Sequence, residues 1–312
     1  MDRVVCVSGP LVWLPFEKDE LGEYPESLRY ECISPQAGME LPDSVSEVEF
    51  YVPPYPFTSR DAEVLTQMKS LRVLQTMSAG VEHLRPAVPE SVTLCNGRGV
   101  HTASTAELTV AMILAAQRGI PAFVRLQDQQ VWRPERLRSL ADRTVLIVGY
   151  GDIGAAIERR LDGFEVEIVR VARSAREGVH GFEELRTLLP LADVVVLIVP
   201  ITDQTIGMVD AGFLATMKEG ALLVNVSRGQ VVVTDDLVTA LTSGHVRAAL
   251  DVTDPEPLPA GHPLWSAPGA LVLPHVAGGS SAMWPRAYTL IREQLFRFAA
   301  GEALVNVVTG EY

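Results

Sequence analysis

Short runs of consecutive apolar residues recur along the chain, each closed by turn-forming residues. In the second half they lie within Val145–Val148, Asp193–Val199, Gly220–Val226 and Leu271–Leu273, with β-rich runs carrying single polar residues at Val166–Val171 and Val246–Leu250. Runs this short, without alternation of polar and apolar positions, predict strands buried on both faces, as in parallel sheets with helical crossovers. Helix-compatible stretches stand between them, including the segment from Ala155 to Leu161 and a capped helix over Thr234–Gly244. The first third has a similar rhythm, with strands expected at Arg3–Val7, Leu28–Ile33, Val48–Val52, Leu71–Gln75 and Val92–Leu94, and a helix over Ser59–Lys69 with Ser59 as its N-cap. A longer helix is expected up to Gln117, ended by Gly119 and Pro121, with Ser104 and Glu107 at capping-box spacing. It is apolar nearly all round from Leu108 to Ala116, which predicts burial between domains or against another subunit.

One junction between strand and helix carries chemistry. The run Thr144–Val148 is followed by Gly149-Tyr-Gly151-Asp152-Ile153-Gly154, then by the helix and the next strand. A glycine triplet in that setting is the dinucleotide fingerprint. The first glycine allows a tight turn, the second lets backbone approach a pyrophosphate, the third lets helix pack on strand, and the helix N-terminus faces the phosphates. A carboxylate for the adenosine ribose is expected about 20 residues further on, yet the chain there reads Val171-Ala172-Arg173-Ser174. Arg173 and Ser174 suit a 2′-phosphate, with Arg176 as a third contact, so NADP(H) is expected over NAD(H), which stays possible.

Composition narrows the classes. The chain of 312 residues is 47% hydrophobic, enough for two cored domains, and its formal charge of −13 argues against nucleic acid or a membrane surface as partner. Cys6, Cys32 and Cys95 form no CxxC pair, which fits a reducing cytoplasm. The apolar stretch from Val4 to Phe16 is broken by Gly9, Pro10 and Pro15 and reads as a strand and loop, not as a signal peptide. No apolar run reaches the roughly 18 residues of a membrane span, and the histidines show no metal-ligand spacing.

Polar residues stand repeatedly just after strand ends, the edge where parallel sheets bind ligands. In the first third these are the Pro53–Phe57 loop and Ser78, Ala79 and Gly80, whose amides could hold a small carboxylate or merely cap a turn. Arg98 and His101 follow, as cleft residues or as solvated, cap-satisfying ones. Later strand ends bring Val199, Pro200 and Thr205, then Val226, Ser227 and Arg228, then Asp251 and Glu256, and finally His275 and Gly278. Reducing a 2-oxo acid by hydride requires a group on the carboxylate and carbonyl, a proton donor, and a partner for that donor. Arginine suits the first, histidine the second, and a carboxylate beside the imidazole the third, which assigns Arg228, His275 and Glu256. Singly they also read as a turn arginine, a satisfied histidine and an exposed loop acid.

Over nearly its whole length the chain resembles the D-isomer-specific 2-hydroxyacid dehydrogenases. The resemblance rests on GYGDIG at 149–154, NVSRGQVV at 225–232, LDVTDPEPLP at 250–259 and PHVAGG at 274–279. It implies two Rossmann- or flavodoxin-like α/β domains with parallel sheets: a substrate domain from residues 1–98 and 279–312, and a dinucleotide-binding domain from 99–278. The active site is expected in the cleft between them, with hinges near Gly97–Gly99 and Ala277–Gly279. It further implies catalytic roles for Arg228, Glu256 and His275, a nicotinamide-side role for Asp251, a substrate-carboxylate role for Ser78–Val81, and a homodimer built through the cofactor domain. Glyoxylate and hydroxypyruvate reductases are the expected kin. Glu256 disfavours a formate dehydrogenase, whose histidine partner is glutamine. Trp13, Phe16, Tyr55, Phe57, Met283 and Trp284 are expected either to line a subsite for an apolar or aromatic substrate or to lie in the core. The rival reading from another class is a non-catalytic, dinucleotide-sensing corepressor on the same fold.

Overall fold

The computed structural model describes residues 9–82 and 84–309. In chain order it builds β1 (Leu11–Leu14), β2 (Arg29–Cys32), β3 (Val48–Tyr51), α1 (Ser59–Leu65), β4 (Val73–Gln75) and β5 (Thr93–Cys95). Then come α2 (Thr102–Gln117), α3 (Ile120–Asp128), β6 (Thr144–Val148), α4 (Asp152–Leu161), β7 (Glu167–Ala172), β8 (His180–Gly181), α5 (Leu185–Leu188) and β9 (Val194–Leu197). The series ends with α6 (Ala211–Thr216), β10 (Ala221–Asn225), α7 (Thr234–Thr242), β11 (Val246–Leu250), β12 (Ala270–Val272) and α8 (Met283–Ala300). The expected strand Arg3–Val7 and Cys6 lie outside the described residues.

The chain divides into two compact units, Met1–His101 with Ser281–Tyr312, and Thr102–Ser280. The first holds a five-stranded parallel sheet in the order β2-β1-β3-β4-β5, the flavodoxin-like order. Its faces carry two apolar clusters, one around Trp13, Tyr51, Leu74 and Leu94, the other around Phe50, Val73, Ile291 and Leu295. Helix α8, from the far end of the chain, covers the second cluster. A buried amide pair ties it to β4: Gln294 Nε2 donates to Gln75 Oε1 (2.6 Å) and to the Val305 carbonyl (2.8 Å), while Val305 N–H donates back to Gln294 Oε1.

The second unit holds a seven-stranded parallel sheet in the order β12-β11-β10-β9-β6-β7-β8. Strand order reverses between β6 and β9. That is the doubly wound Rossmann arrangement, and the reversal marks the crevice where dinucleotides bind. Strands β6, β9 and β10 are buried almost throughout, as their apolar runs predict, and β11 is buried apart from the half-buried Arg247.

Two helix starts differ from expectation. Helix α1 is capped by Thr58, not Ser59: the Asp61 carboxylate accepts from Thr58 N–H (2.8 Å) and Thr58 Oγ1 (2.7 Å), and Tyr51 Oη reaches the same side chain. Helix α2 begins at Thr102, so Ser104 lies inside its first turn, bonded to Ser280 Oγ (2.6 Å) rather than capping with Glu107. Its Thr109, Val110, Met112 and Ile113 are buried, but Ala111 is exposed. Among the described residues no single helix is long and apolar enough to cross a membrane.

Candidate active site

The glycine turn runs from the end of β6 into α4. Gly149 has φ +105°, and a Cβ there would lie 2.1 Å from the Ile198 carbonyl oxygen. A Cβ on Gly154 would lie 2.4 Å from the Gly149 carbonyl oxygen, so α4 packs directly against the turn. At Gly151 a Cβ would meet nothing within 4 Å. This open space, at the start of a ten-residue helix whose first-turn N–H groups precede any intrahelical acceptor, fits a pyrophosphate.

Tyr150, between the first two glycines, is clamped. Its hydroxyl donates to Glu158 of α4, and the guanidinium of Arg170 lies 5.7 Å from its ring and that of Arg176 5.9 Å. Arg170 Nε also donates to Glu158 (2.8 Å), and Arg176 Nη2 donates to the Tyr150 carbonyl (2.7 Å). The hydrogen bond from Arg170 holds the Glu158 carboxyl below its usual range, while burial and then Glu158 push the Tyr150 phenol up. Arg176 therefore braces the turn, which leaves Arg173 at the end of β7. Arg173 is exposed and, among the described residues, makes no hydrogen bond or ion pair; Ser174 beside it is exposed too.

Further along the same edge, Val199 is buried, Pro200 is exposed, and the Thr205 hydroxyl closes their loop by donating to the Pro200 carbonyl (2.7 Å). The turn after β10 is organised by Asn225. Its Oδ1 accepts from Ser227 N–H (3.0 Å) and Ser227 Oγ (2.7 Å), and its Nδ2 donates to the Arg228 carbonyl (2.9 Å). Val226 and Ser227 are thereby buried, and Arg228 stands half-buried, with Nη1 donating to the Ser227 carbonyl. A Cβ on Gly229 would lie 1.9 Å from the Thr253 carbonyl oxygen, so the loops after β10 and β11 touch backbone to backbone.

Asp251, 1% exposed, accepts from Val276 N–H (2.8 Å) and Ala277 N–H (2.9 Å), and its own carbonyl accepts from His275 N–H (2.7 Å). These bonds fasten His275 in the left-handed region, φ +53°, a backbone state that only a fixed surrounding sustains in a non-glycine residue. His275 Nδ1 and Glu256 Oε1 are 2.5 Å apart. The loop bearing Glu256 is held by Thr253 Oγ1 on the Pro255 carbonyl (2.9 Å) and Thr234 Oγ1 on the Asp254 carbonyl (2.6 Å). The three chemical residues, Arg228, Glu256 and His275, thus stand on successive strand-end loops of one sheet, with Gly278 just beyond.

In the first unit, three consecutive carbonyls of the loop after β4 are turned inward. Met77 accepts from His101 Nε2 (2.9 Å), Ser78 from Thr76 Oγ1 (2.9 Å) and Gly97 N–H (2.6 Å), and Ala79 from Asn96 Nδ2 (3.1 Å). Because trans peptides set N–H opposite C=O, the amides of Ser78, Ala79 and Gly80 face the other way. His101 is buried and orders this loop, with the Tyr55 ring tilted against its own at 5.4 Å. Arg98 is exposed. Trp13 and Met283 are core residues at 0% and 4% exposure, and Phe57 packs against the core. Of the aromatic candidates, Phe16, Tyr55 and Trp284 remain at the surface. Asn96, Thr76 and Asn225 are positioning residues to which residue type alone gave no role; the signal was a buried-strand end followed by a small polar residue. Burial pushes the Cys95 thiol up to about 11.

Residues 110–277 match the family described as D-isomer specific 2-hydroxyacid dehydrogenase, NAD binding domain. A glyoxylate reductase of Thermofilum pendens is 35% identical over 264 residues, covering 79% of this chain and 78% of the relative. The crystal structure of a D-isomer-specific 2-hydroxyacid dehydrogenase from Xanthobacter autotrophicus, in complex with NADPH and MES, superposes with a TM-score of 0.81 at 29% identity, covering 96% of this chain and 98% of that one. An NADPH-dependent glyoxylate/hydroxypyruvate reductase from Sinorhizobium meliloti, in complex with NADP and malonate, gives a TM-score of 0.78 at 26% identity, with 97% of each chain covered. The glycine turn, the strand-order reversal beside it and these matches agree: the chain belongs to the D-isomer-specific 2-hydroxyacid dehydrogenases, enzymes that use NAD(P).

Proposed function

We propose that the protein reduces a 2-oxo acid to the D-2-hydroxy acid with NADPH, glyoxylate and hydroxypyruvate being among the acids to test. The observation that carries the reading is the 2.5 Å pairing of His275 with Glu256 on the same strand-end edge as Arg228 and the glycine turn. The nicotinamide, when bound, supplies a hydride to the carbonyl carbon. Arg228 holds the carboxylate and draws electron density toward the carbonyl oxygen as the C=O bond gives up its π pair. His275 donates its Nε2 proton to that oxygen, completing the alcohol, and Glu256 on Nδ1 fixes which ring nitrogen faces the substrate. Asp251 keeps the His275 turn in place. The amides of Ser78, Ala79 and Gly80 serve the substrate carboxylate, so the first unit is the substrate domain and the second the dinucleotide domain.

Arg173 is the group for the 2′-phosphate, with Ser174 as a donor beside it. Its having no partner among the described residues supports NADPH over NADH, as do the two cofactor-bound relatives above. We infer a homodimer joined through the second unit, because Ile120, Val124, Val131, Trp132 and Leu137 expose 41–96% of their surface there, and a cytoplasmic setting, because Cys32 and Cys95 are free thiols.

The test follows nicotinamide absorbance with NADPH and NADH against glyoxylate, hydroxypyruvate, pyruvate and phenylpyruvate, beside His275→Ala. Oxidation of NADPH that is lost in the variant supports the reading. Tight NADPH binding without turnover of any 2-oxo acid moves the chain to a dinucleotide sensor.

A further inference from the structure

All five strands of the first unit deliver their following loops to one edge, in the order β2, β1, β3, β4, β5. That edge is chemically divided at β4. On the β5 side it is polar, with Asn96, Gly97 and Arg98. On the other side β3 is followed by Tyr55, 38% exposed, and β1 by Phe16, half-buried.

Helix α8 adds two more rings there. Its Met283 belongs to one apolar cluster with Leu14, Val52 and Met77 at the strand ends, while Phe298 near its other terminus packs on Phe50 and under Arg72, which precedes β4, so the helix starts at this edge. Phe16 meets Tyr288 edge-on at 4.9 Å and Trp284 at 6.4 Å, and Trp284 lies 5.6 Å from Tyr288. Trp284 keeps 41% of its surface exposed beside these two half-buried rings.

Distance and charge together select a ligand. Neighbouring strands lie about 4.8 Å apart, so the edge from β4 to β1 spans roughly 10 Å. Glyoxylate seated on the Ser78–Gly80 amides stays over β4, whereas a 2-oxo acid with a ring beyond its third carbon reaches across β3 toward Phe16. The far end of this path is acidic: Glu17, Asp19 and Glu20 follow Phe16, and burial, then Glu20, push the Tyr288 phenol up. Two cations stand beside these three carboxylates, both engaged within the fold: Lys18 lies over the rings of Tyr24 (4.6 Å) and Tyr30 (5.8 Å), and Arg292 of α8 donates to the Leu21 carbonyl (3.2 Å). A second carboxylate or a phosphate on the substrate would meet like charge here.

We propose that Tyr55, Phe16, Trp284 and Tyr288 receive the substrate's side chain and select uncharged aryl-bearing 2-oxo acids over glyoxylate and over dianionic acids. The inference rests on the reductase reading, in which the Ser78–Gly80 amides hold the carboxylate.

The experiment compares kcat/KM with NADPH for phenylpyruvate, glyoxylate and oxaloacetate in the full chain and in Phe16→Ala and Trp284→Ala. Phenylpyruvate is favoured over glyoxylate by at least about tenfold, the equivalent of 1.4 kcal/mol, and over oxaloacetate by more. Each substitution lowers the ratio of phenylpyruvate to glyoxylate by about the same factor. A ratio unmoved by both substitutions, or oxaloacetate reduced as well as phenylpyruvate, overturns the proposal. Absence of all turnover strikes the reductase reading instead, and the subsite is then read by tryptophan fluorescence: saturable quenching by phenyllactate but not lactate, lost in Trp284→Phe, supports it, and equal behaviour of the two acids overturns it.

Discussion

Two glycines only two residues apart respond to the same substitution in opposite ways. At Gly151 the backbone φ of −101° is open to any residue, and a Cβ meets nothing within 4 Å, so Gly151→Val leaves the fold intact. The melting temperature of this variant stays within a degree or two of wild type, since a surface substitution without strain costs about 0.5 kcal/mol or less. The added side chain fills the space a pyrophosphate needs. Displacing one charge-assisted hydrogen bond to a phosphate costs about 1.5–3 kcal/mol, which at 1.4 kcal/mol per decade raises the Kd for NADPH on the order of tenfold to a hundredfold. Gly149→Ala does the reverse. Its Cβ is driven to 2.1 Å from the Ile198 carbonyl oxygen at φ +105°, so β9 or the turn must move. Backbone strain of about 1–2 kcal/mol, with the clash added, lowers the melting temperature by roughly 5–10 °C. Differential scanning calorimetry and NADPH fluorescence titration of both variants separate the effects. NADPH binding by Gly151→Val within threefold of wild type would falsify the placement of the pyrophosphate at this turn.

Other consequences are equally direct. His275→Gln lowers kcat by about 10²–10⁴-fold with NADPH binding retained, and Glu256→Gln by less; pre-steady-state and steady-state rates check both. Arg173→Ala lowers kcat/KM with NADPH by about 10- to 100-fold but barely moves it with NADH, whereas Arg176→Ala weakens both cofactors alike, because it frees the Tyr150 carbonyl. Trp132→Asp, at a side chain 96% exposed, yields a monomer by analytical ultracentrifugation; an unchanged sedimentation coefficient refutes the dimer surface. Arg170 holds the Glu158 carboxyl below its ordinary value of 4.5, so the pair stabilises the fold above about that pH and loses its effect as pH falls through the depressed value; Glu158→Gln flattens that acid limb in melting curves.

The second unit was more legible in the sequence than the first. Val145–Val148 and Val194–Leu197 stand out because strands buried on both faces leave no polar interruption, and the glycine triplet fixes where the turn must fall. The first unit's short strands gave weaker boundaries. Its true helix cap at Thr58 was hidden because Asp61 supplies both cap bonds and also receives Tyr51, a pairing set by tertiary structure. Ser104 with Glu107 matched a capping spacing by composition alone, while Ser280, far along the chain, decides where that hydroxyl points. Trp13 lies at the end of an expected loop region yet belongs to the core, because the first described strand is Leu11–Leu14. His275 and Glu256 could be named from residue type and order, but the left-handed turn that aims the imidazole is made by Asp251, and only coordinates show it.

The amide pair between Gln75 and Gln294 sets an order on synthesis. The second unit is one continuous segment, Thr102–Ser280, and can close as soon as it leaves the ribosome. The first unit cannot. Its sheet is translated first, but the cover for Val12, Phe50 and Val73 is α8, and the tail strand contact from Cys95 goes to Val307. The unit whose sheet is made before Thr102 therefore closes only after the second unit is complete, and a nascent chain halted before Met283 carries an open apolar sheet face that invites chaperones and proteases while its neighbour is already folded.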